Sequence, residues 1–161
     1  MKIKPLFTVV VFLFSIPSFA QHYQTDFPPE EFKARWQKVF DKIGDQAIAI
    51  VQGAPQVSGF NLPRQSNEFY YLCGIETPHA YLLLDGRIRE VTLFMPPRNK
   101  RLERSEGKIL SADTGQLVKQ LTGVDHVVST EAMTGKWLLD LTMEQRKPII
   151  YSPFSPPEGH A

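Results

Sequence analysis

Ala80-Tyr81-Leu82-Leu83-Leu84-Asp85-Gly86-Arg87-Ile88-Arg89-Glu90-Val91-Thr92-Leu93-Phe94-Met95, closed by Pro96-Pro97, is the stretch that decides the fold class. Residues 80–84 and 91–95 are short apolar runs of strand length, and Asp85-Gly86 between them is a dipeptide that commonly makes tight turns. Together they predict a β-hairpin. The two prolines stop the second strand, because proline offers no N–H to a ladder and fixes its own backbone.

Working outward from the hairpin, residues 47–51 (Ala-Ile-Ala-Ile-Val) form a continuous apolar run rich in β-branched side chains, the pattern of a strand covered on both faces. Ahead of it lies a helix. Pro28 and Pro29 suit its first turn, Glu30 and Glu31 complement its dipole, and Phe32, Trp36, Val39, Phe40 and Ile43 recur at helical spacing until Gly44. Residues 53–64 hold two glycines and two prolines and read as a loop. Residues 67–74 are a short aromatic segment, and Pro78 disfavours helix at Thr77.

Downstream of the hairpin, residues 98–108 are a mixed-charge stretch. A second helix follows, with Ser111 as cap, Asp113 in its first turn, an apolar face of Leu117, Val118 and Leu121, and Gly123 as its end. Residues 126–128 predict a short strand and residues 131–140 a third helix, with Met133, Trp137, Leu138 and Leu141 on one face and Gly135 weakening it. Residues 149–151 predict a last, buried strand. Helices alternating with buried-type strands around one hairpin predict an α/β domain, a mixed β-sheet flanked by helices.

The first 20 residues read as a secretory signal. Lys2 and Lys4 give a positive start, residues 6–14 an apolar run, and Ser18-Phe19-Ala20 a small-x-small cleavage pattern. The run is shorter than the roughly 20 apolar residues a bilayer crossing needs. Residues 21–26 would then be a polar leader, 27–151 one domain, and 152–161 a proline-rich tail or the start of a linker. The whole chain carries 18 basic and 17 acidic residues. Without Lys2 and Lys4 the basic count falls to 16 against the same 17, a net charge of −1. A near-neutral chain has no electrostatic footprint for nucleic acid or an anionic membrane. Its one cysteine, Cys73, forms no internal disulfide, so the exported domain must rely on its core.

No catalytic constellation emerges from the sequence. His22, His79, His126 and His160 are widely spaced, without HExxH or paired cysteines, so no metal site is predicted. Val57-Ser58-Gly59 lacks the leading glycine and the strand–helix frame of a serine nucleophile elbow. Cys73 sits among aromatic and apolar residues, as an inert thiol would. The cluster Arg98, Lys100, Arg101, Glu103, Arg104 and Glu106 has the charges for an anion site, but its alternating signs fit a solvated helix face better. The expected site list is therefore empty for catalysis, cofactor and metal.

A resemblance adds to this reading. Asn67-Glu68-Phe69-Tyr70-Tyr71-Leu72-Cys73-Gly74-Ile75-Glu76-Thr77-Pro78-His79-Ala80 leads to Leu82-Leu83-Leu84-Asp85, then Leu93-Phe94-Met95-Pro96-Pro97-Arg98, then Leu102-Glu103-Arg104-Ser105-Glu106-Gly107. In this order and spacing the blocks resemble the N-terminal domain of the aminopeptidase P (Xaa-Pro aminopeptidase) family, related to prolidase and creatinase. There an "FYYLTG…P…A…LLL" segment precedes "LFvPPR" and "ER-W-(D/E)-G". The opening helix with Arg35 also fits. Cys73 stands where threonine is usual and Ser105 where tryptophan is common.

The resemblance covers roughly residues 27–151. It implies an α/β domain ahead of a larger metallopeptidase domain, in which two aspartates, a histidine and two glutamates bind two metal ions, commonly manganese, to cleave peptides with proline at the second position. It also implies a homo-oligomer in which the N-terminal domain supplies subunit contacts and narrows active-site access. None of the ligand-bearing motifs falls on this chain. The expectation is thus an exported, periplasmic or secreted, non-catalytic N-terminal part on a truncated chain, partnered by its own catalytic domain. The alternative from another class is a free-standing exported binding or assembly module without peptidase activity.

Overall fold

The computed structural model describes residues 26–55, 65–133 and 147–153. In chain order the elements are α1 (Pro29–Ile43), β1 (Ala47–Gln52), α2 (Asn67–Cys73), β2 (Tyr81–Asp85), β3 (Glu90–Met95), α3 (Lys100–Glu106), a 3₁₀ turn (Ala112–Thr114) running into α4 (Gly115–Thr122), β4 (His126–Ser129), the single turn α5 (Thr130–Ala132) and β5 (Ile149–Tyr151). The strands form one mixed sheet in the order β4-β3-β2-β1-β5. The three central strands pair antiparallel, while β4 and β5 pair parallel to β3 and β1 at the two edges.

Strand alternation divides the sheet into two faces. Ala49, Val51, Leu82, Leu84, Val91, Leu93 and Met95 join Phe32, Trp36 and Phe40 of α1, Phe69, Leu72 and Cys73 of α2, and Val118 of α4 in the main core. Ile48, Leu83 and Phe94 point to the opposite face and form a smaller cluster with Ile50, Tyr81, Val128 and Met133. The helical spacing of Phe32, Trp36 and Phe40 thus becomes the ridge that α1 lays on the sheet.

Two hydrogen bonds join α1 to α2. Trp36 Nε1 donates to Leu72 O at 2.7 Å, and one Arg35 guanidinium nitrogen donates to Tyr71 O at 2.5 Å. Arg35 is only 6% exposed. Its guanidinium lies 4.2 Å from the Tyr71 ring centre and 4.3 Å from that of Phe27, while Nε bonds Glu31 at 3.1 Å. A buried cation needs such company, since desolvation penalises it otherwise. Gly74, at φ +65°, ends α2 in the left-handed region, and a Cβ there would stand 2.6 Å from Phe32 Cζ. Both the backbone angle and the close approach require glycine.

The hairpin forms, with a longer loop than a two-residue turn. Asp85 is the last residue of β2 and pairs with Glu90, leaving Gly86 to Arg89 as the connection. Arg89 takes the positive φ of 56°, and the Asp85 carboxylate accepts from Arg87 N–H at 3.0 Å and Arg87 Nε at 2.8 Å. Gly86 is needed for close approach, since a Cβ would lie 2.2 Å from Gly44 O. Residues 67–73 are helical, and so is most of the mixed-charge stretch after the double proline.

One expectation is corrected. The last strand pairs with β1 as a strand should, but it is not buried: Ile149, Ile150 and Tyr151 are 57%, 55% and 49% exposed. It is an edge strand, bonded to β1 on one side only among the described residues. The third predicted helix is described only at its start, in α5 and Met133; residues 134–146, including Gly135, Trp137, Leu138 and Leu141, lie outside the described residues. So do residues 1–25, 56–64 and 154–161. Among the described residues no helix is long and apolar enough to cross a membrane.

Candidate functional site

The turn before β2 meets the chain that follows β3 at the open end of the hairpin to form a cleft of about 570 Å³. One wall is Thr77-Pro78-His79, the turn that delivers the chain into β2. The second is Pro96 to Lys100, which leaves β3, with Leu102 and Glu103 of α3. Ile109, Leu110 and Ser111 complete it.

The sequence explains why these walls hold their places. Pro96-Pro97 ends β3, and Asn99 caps α3, its Oδ1 accepting from the N–H groups of Arg101 and Leu102 at 3.1 Å. Gly107 ends the helix at φ +85°. The returning chain is then tied down: Thr77 Oγ1 donates to Leu110 O at 2.9 Å and Ala112 N–H to Pro96 O at 3.0 Å. Asp113 Oδ2 accepts from Arg98 N–H at 2.9 Å. Ser111 stands at the N-cap position, as expected, and Thr114 Oγ1 accepts its N–H at 3.0 Å. Ser111 and Thr114 form a capping box, in which the buried Ser111 hydroxyl faces the N–H at the third helical position.

The charges are unevenly engaged. Arg98 bonds Glu103 twice, Nε at 2.8 Å and a terminal nitrogen at 2.7 Å. That carboxylate holds the Arg98 pKa above its ordinary value. Glu103 is thereby occupied, whereas the Lys100 ammonium has no ion-pair partner among the described residues. Pro78, Pro96, Pro97, Leu102 and Ile109 give the cleft its apolar surface. Its edge carries Arg98 and Lys100 against the carboxylates of Glu103 and Asp113, so the charges there balance. Among the described residues it gathers no cluster of metal-ligating side chains.

The residues singled out from the sequence are scattered. His79, at φ 57°, is exposed on one wall of the cleft, while His126 of β4 lies beside Glu90 at 3.1 Å. His22, His160 and Val57-Ser58-Gly59 lie outside the described residues. Cys73 is fully buried, donates to Phe69 O at 3.2 Å, and has its thiol pKa pushed up to about 12 by burial. Ser105 is exposed on α3 with its hydroxyl turned back to Leu102 O at 3.0 Å. Among the described residues no three His, Cys, Asp or Glu side chains gather where a metal ion could sit. Sequence reasoning flagged Arg98, Lys100 and Glu103 as an anion-site possibility, but not Ser111, Leu102 and the prolines. The only signal for them was PPR followed by a capped helix.

The comparisons bear on the same segments. The family model for "Aminopeptidase P, N-terminal domain" matches residues 32–151. A probable Xaa-Pro aminopeptidase of Pyricularia oryzae is 34% identical over 87 residues, which cover 50% of this chain and 16% of that protein. Among solved structures, aminopeptidase P from Escherichia coli with the inhibitor Pro-Leu superposes with a TM-score of 0.66 at 20% identity, over 81% of this chain and 30% of that one. A zinc-substituted form of the E. coli enzyme in complex with product gives 0.62 at 23% identity, over 73% and 28%. At that identity the two structures show a shared fold. The chain spans under a third of each solved relative's length.

Proposed function

The chain belongs to the aminopeptidase P N-terminal domain family, and from that membership we propose that it serves as the non-catalytic N-terminal part of an exported Xaa-Pro aminopeptidase-like metallopeptidase. The observation that carries this reading is the reach of the family match, from inside α1 to the end of β5, across the whole described fold. In this role the domain contributes subunit contacts in a homo-oligomer and narrows the approach to an active site held elsewhere. The substrates are peptides with proline in second position. The signal-like residues 1–20 support export to the periplasm or the exterior.

The reaction itself belongs to a different domain. Manganese ions, where held by that domain, would supply Lewis-acid chemistry there. The described residues do not fit that group, since no cluster of donors converges among them. No step is assigned to them. What this chain's residues do is hold shape: α1, α2 and α4 fix the sheet, and the sheet fixes the turn before β2 and the segment after β3.

Depletion of the native extract with an antiserum against residues 27–151 tests the reading. Chelator-sensitive cleavage of an Xaa-Pro peptide should leave the extract with the depleted protein, while the purified 161-residue chain with added manganese should show none. Activity that stays behind in the depleted extract would overturn the proposal.

A further inference from the structure

The two edges of the sheet are guarded differently. β4 packs against α4, runs straight into the turn of α5 and carries His126 beside Glu90, while Val127 and Val128 are half-buried. β5 has none of these protections. Ile149, Ile150 and Tyr151 are all large, hydrophobic and exposed, and no strand lies beyond them among the described residues. Natural edge strands are usually blunted by charge, proline, a bulge or a cover, because their free N–H and C=O groups otherwise recruit a further strand. Pro148 and Pro153 flank β5, but neither proline nor charge stands inside it.

The ladder fixes which backbone groups face outward. Ile149 N–H bonds Gln46 O at 3.1 Å, so the polar groups of Ile149 face β1, and by alternation so do those of Tyr151. The N–H and C=O of Ile150 therefore point away from the sheet. We propose that β5 pairs antiparallel with β5 of a second copy of this chain, across a two-fold axis at Ile150. Such pairing is one of the subunit contacts proposed above and rests on that role. The polar pattern is self-complementary: each Ile150 N–H donates to the C=O of the other Ile150, the closed pair of an antiparallel ladder. Two positions out, Pro148 offers only a carbonyl, and this register sets opposite it Ser152, which has an N–H to donate. Ile149 then lies opposite Tyr151 of the second copy, an aliphatic–aromatic cross-strand pair of the kind that stabilises sheets. Three residues a side bury far less than the roughly 800 Å² per partner of a stable interface, so this contact by itself is weak and reversible.

Sedimentation velocity of the 161-residue chain over a rising concentration series tests the pairing. The parent should shift reversibly from monomer towards dimer. Ile150→Lys sets two ammonium groups opposite each other at the axis and should weaken dimerisation about tenfold, as should Ile150→Glu. Ile150→Pro removes the outward N–H, leaves the Ile149 bond to β1 in place, and should weaken it by a similar factor. An equimolar mixture of the Lys and Glu variants should associate again to within about threefold of the parent, because position 150 meets itself only across this axis. That recovery would also show that both variants fold. A chain that stays monomeric at every concentration would overturn the pairing, as would a dimer indifferent to Ile150→Lys or a mixture no better than either variant alone. The native protein with the same Lys substitution separates this failure from failure of the subunit role. An oligomer left intact by Ile150→Lys keeps the role and discards this surface, whereas a monomeric parent discards both.

Discussion

The helix-covered face of the sheet and the cleft beyond the hairpin use the same chain to opposite ends. Under α1 and α2, Phe32, Phe69, Leu82 and Leu93 are completely buried, and the main polar ties are the Arg35 and Trp36 bonds to the α2 carbonyls. Around the cleft, Pro97, Arg98, Asn99 and Lys100 are exposed, and position is held by caps and backbone bonds instead. The difference is instructive. Burial of apolar surface fixes the first region and shields its side chains, while hydrogen bonds fix the second and leave its surface open to solvent.

Variants of decreasing severity would break or sharpen that contrast. The largest effect is expected from Phe32→Ala in the main core, a loss of about 3–5 kcal/mol in urea unfolding. Gly74→Ala comes next, at about 2–4 kcal/mol, because it combines a left-handed backbone with a clash against Phe32. Thr77→Val removes the donor to Leu110 O and should cost about 1–3 kcal/mol, the typical penalty for orphaning a buried group. At the exposed end, Lys100→Glu and Ile150→Thr should each change stability by no more than about 0.5 kcal/mol. A loss of several kcal/mol from either would show that the exposed regions belong to the core after all.

Cys73 probes the same contrast by pH. Its folded pKa of about 12 lies above the ordinary 9.0, so the fold prefers the protonated thiol. The contribution is complete below pH 9 and is lost as the pH climbs from 9 towards 12, because the unfolded chain ionises first. Stability should therefore fall over that window, and less so in Cys73→Ala. In the native state a thiol reagent should label Cys73 only through unfolding.

Much of the fold could be read from the sequence because local signals agreed. Pro29, the Phe32-Trp36-Phe40 ridge and Gly44 define α1 completely, and Ser111 and Gly123 bracket the 3₁₀ turn and α4. The hairpin strands shift by a single residue at their ends. The edge position of β5 could not be read, since Ile-Ile-Tyr has the composition of a central strand and an apolar run does not say how many neighbours it will have. The helical state of residues 67–73 was hidden by tyrosines and phenylalanine, which serve strands as readily. The cleft was hardest. Thr77, Arg98 and Ser111 lie in separate segments, which the Thr77–Leu110, Ala112–Pro96 and Arg98–Asp113 bonds bring together.

The most direct measurement of the account is the mass of the native protein, by immunoblot with an antibody against residues 27–151. The proposal expects a band well above the 18.3 kDa of this chain, carrying the catalytic domain that this fold serves. A band at or just below that mass, with no Xaa-Pro cleavage associated with it, would contradict the proposal and leave a free-standing binding domain.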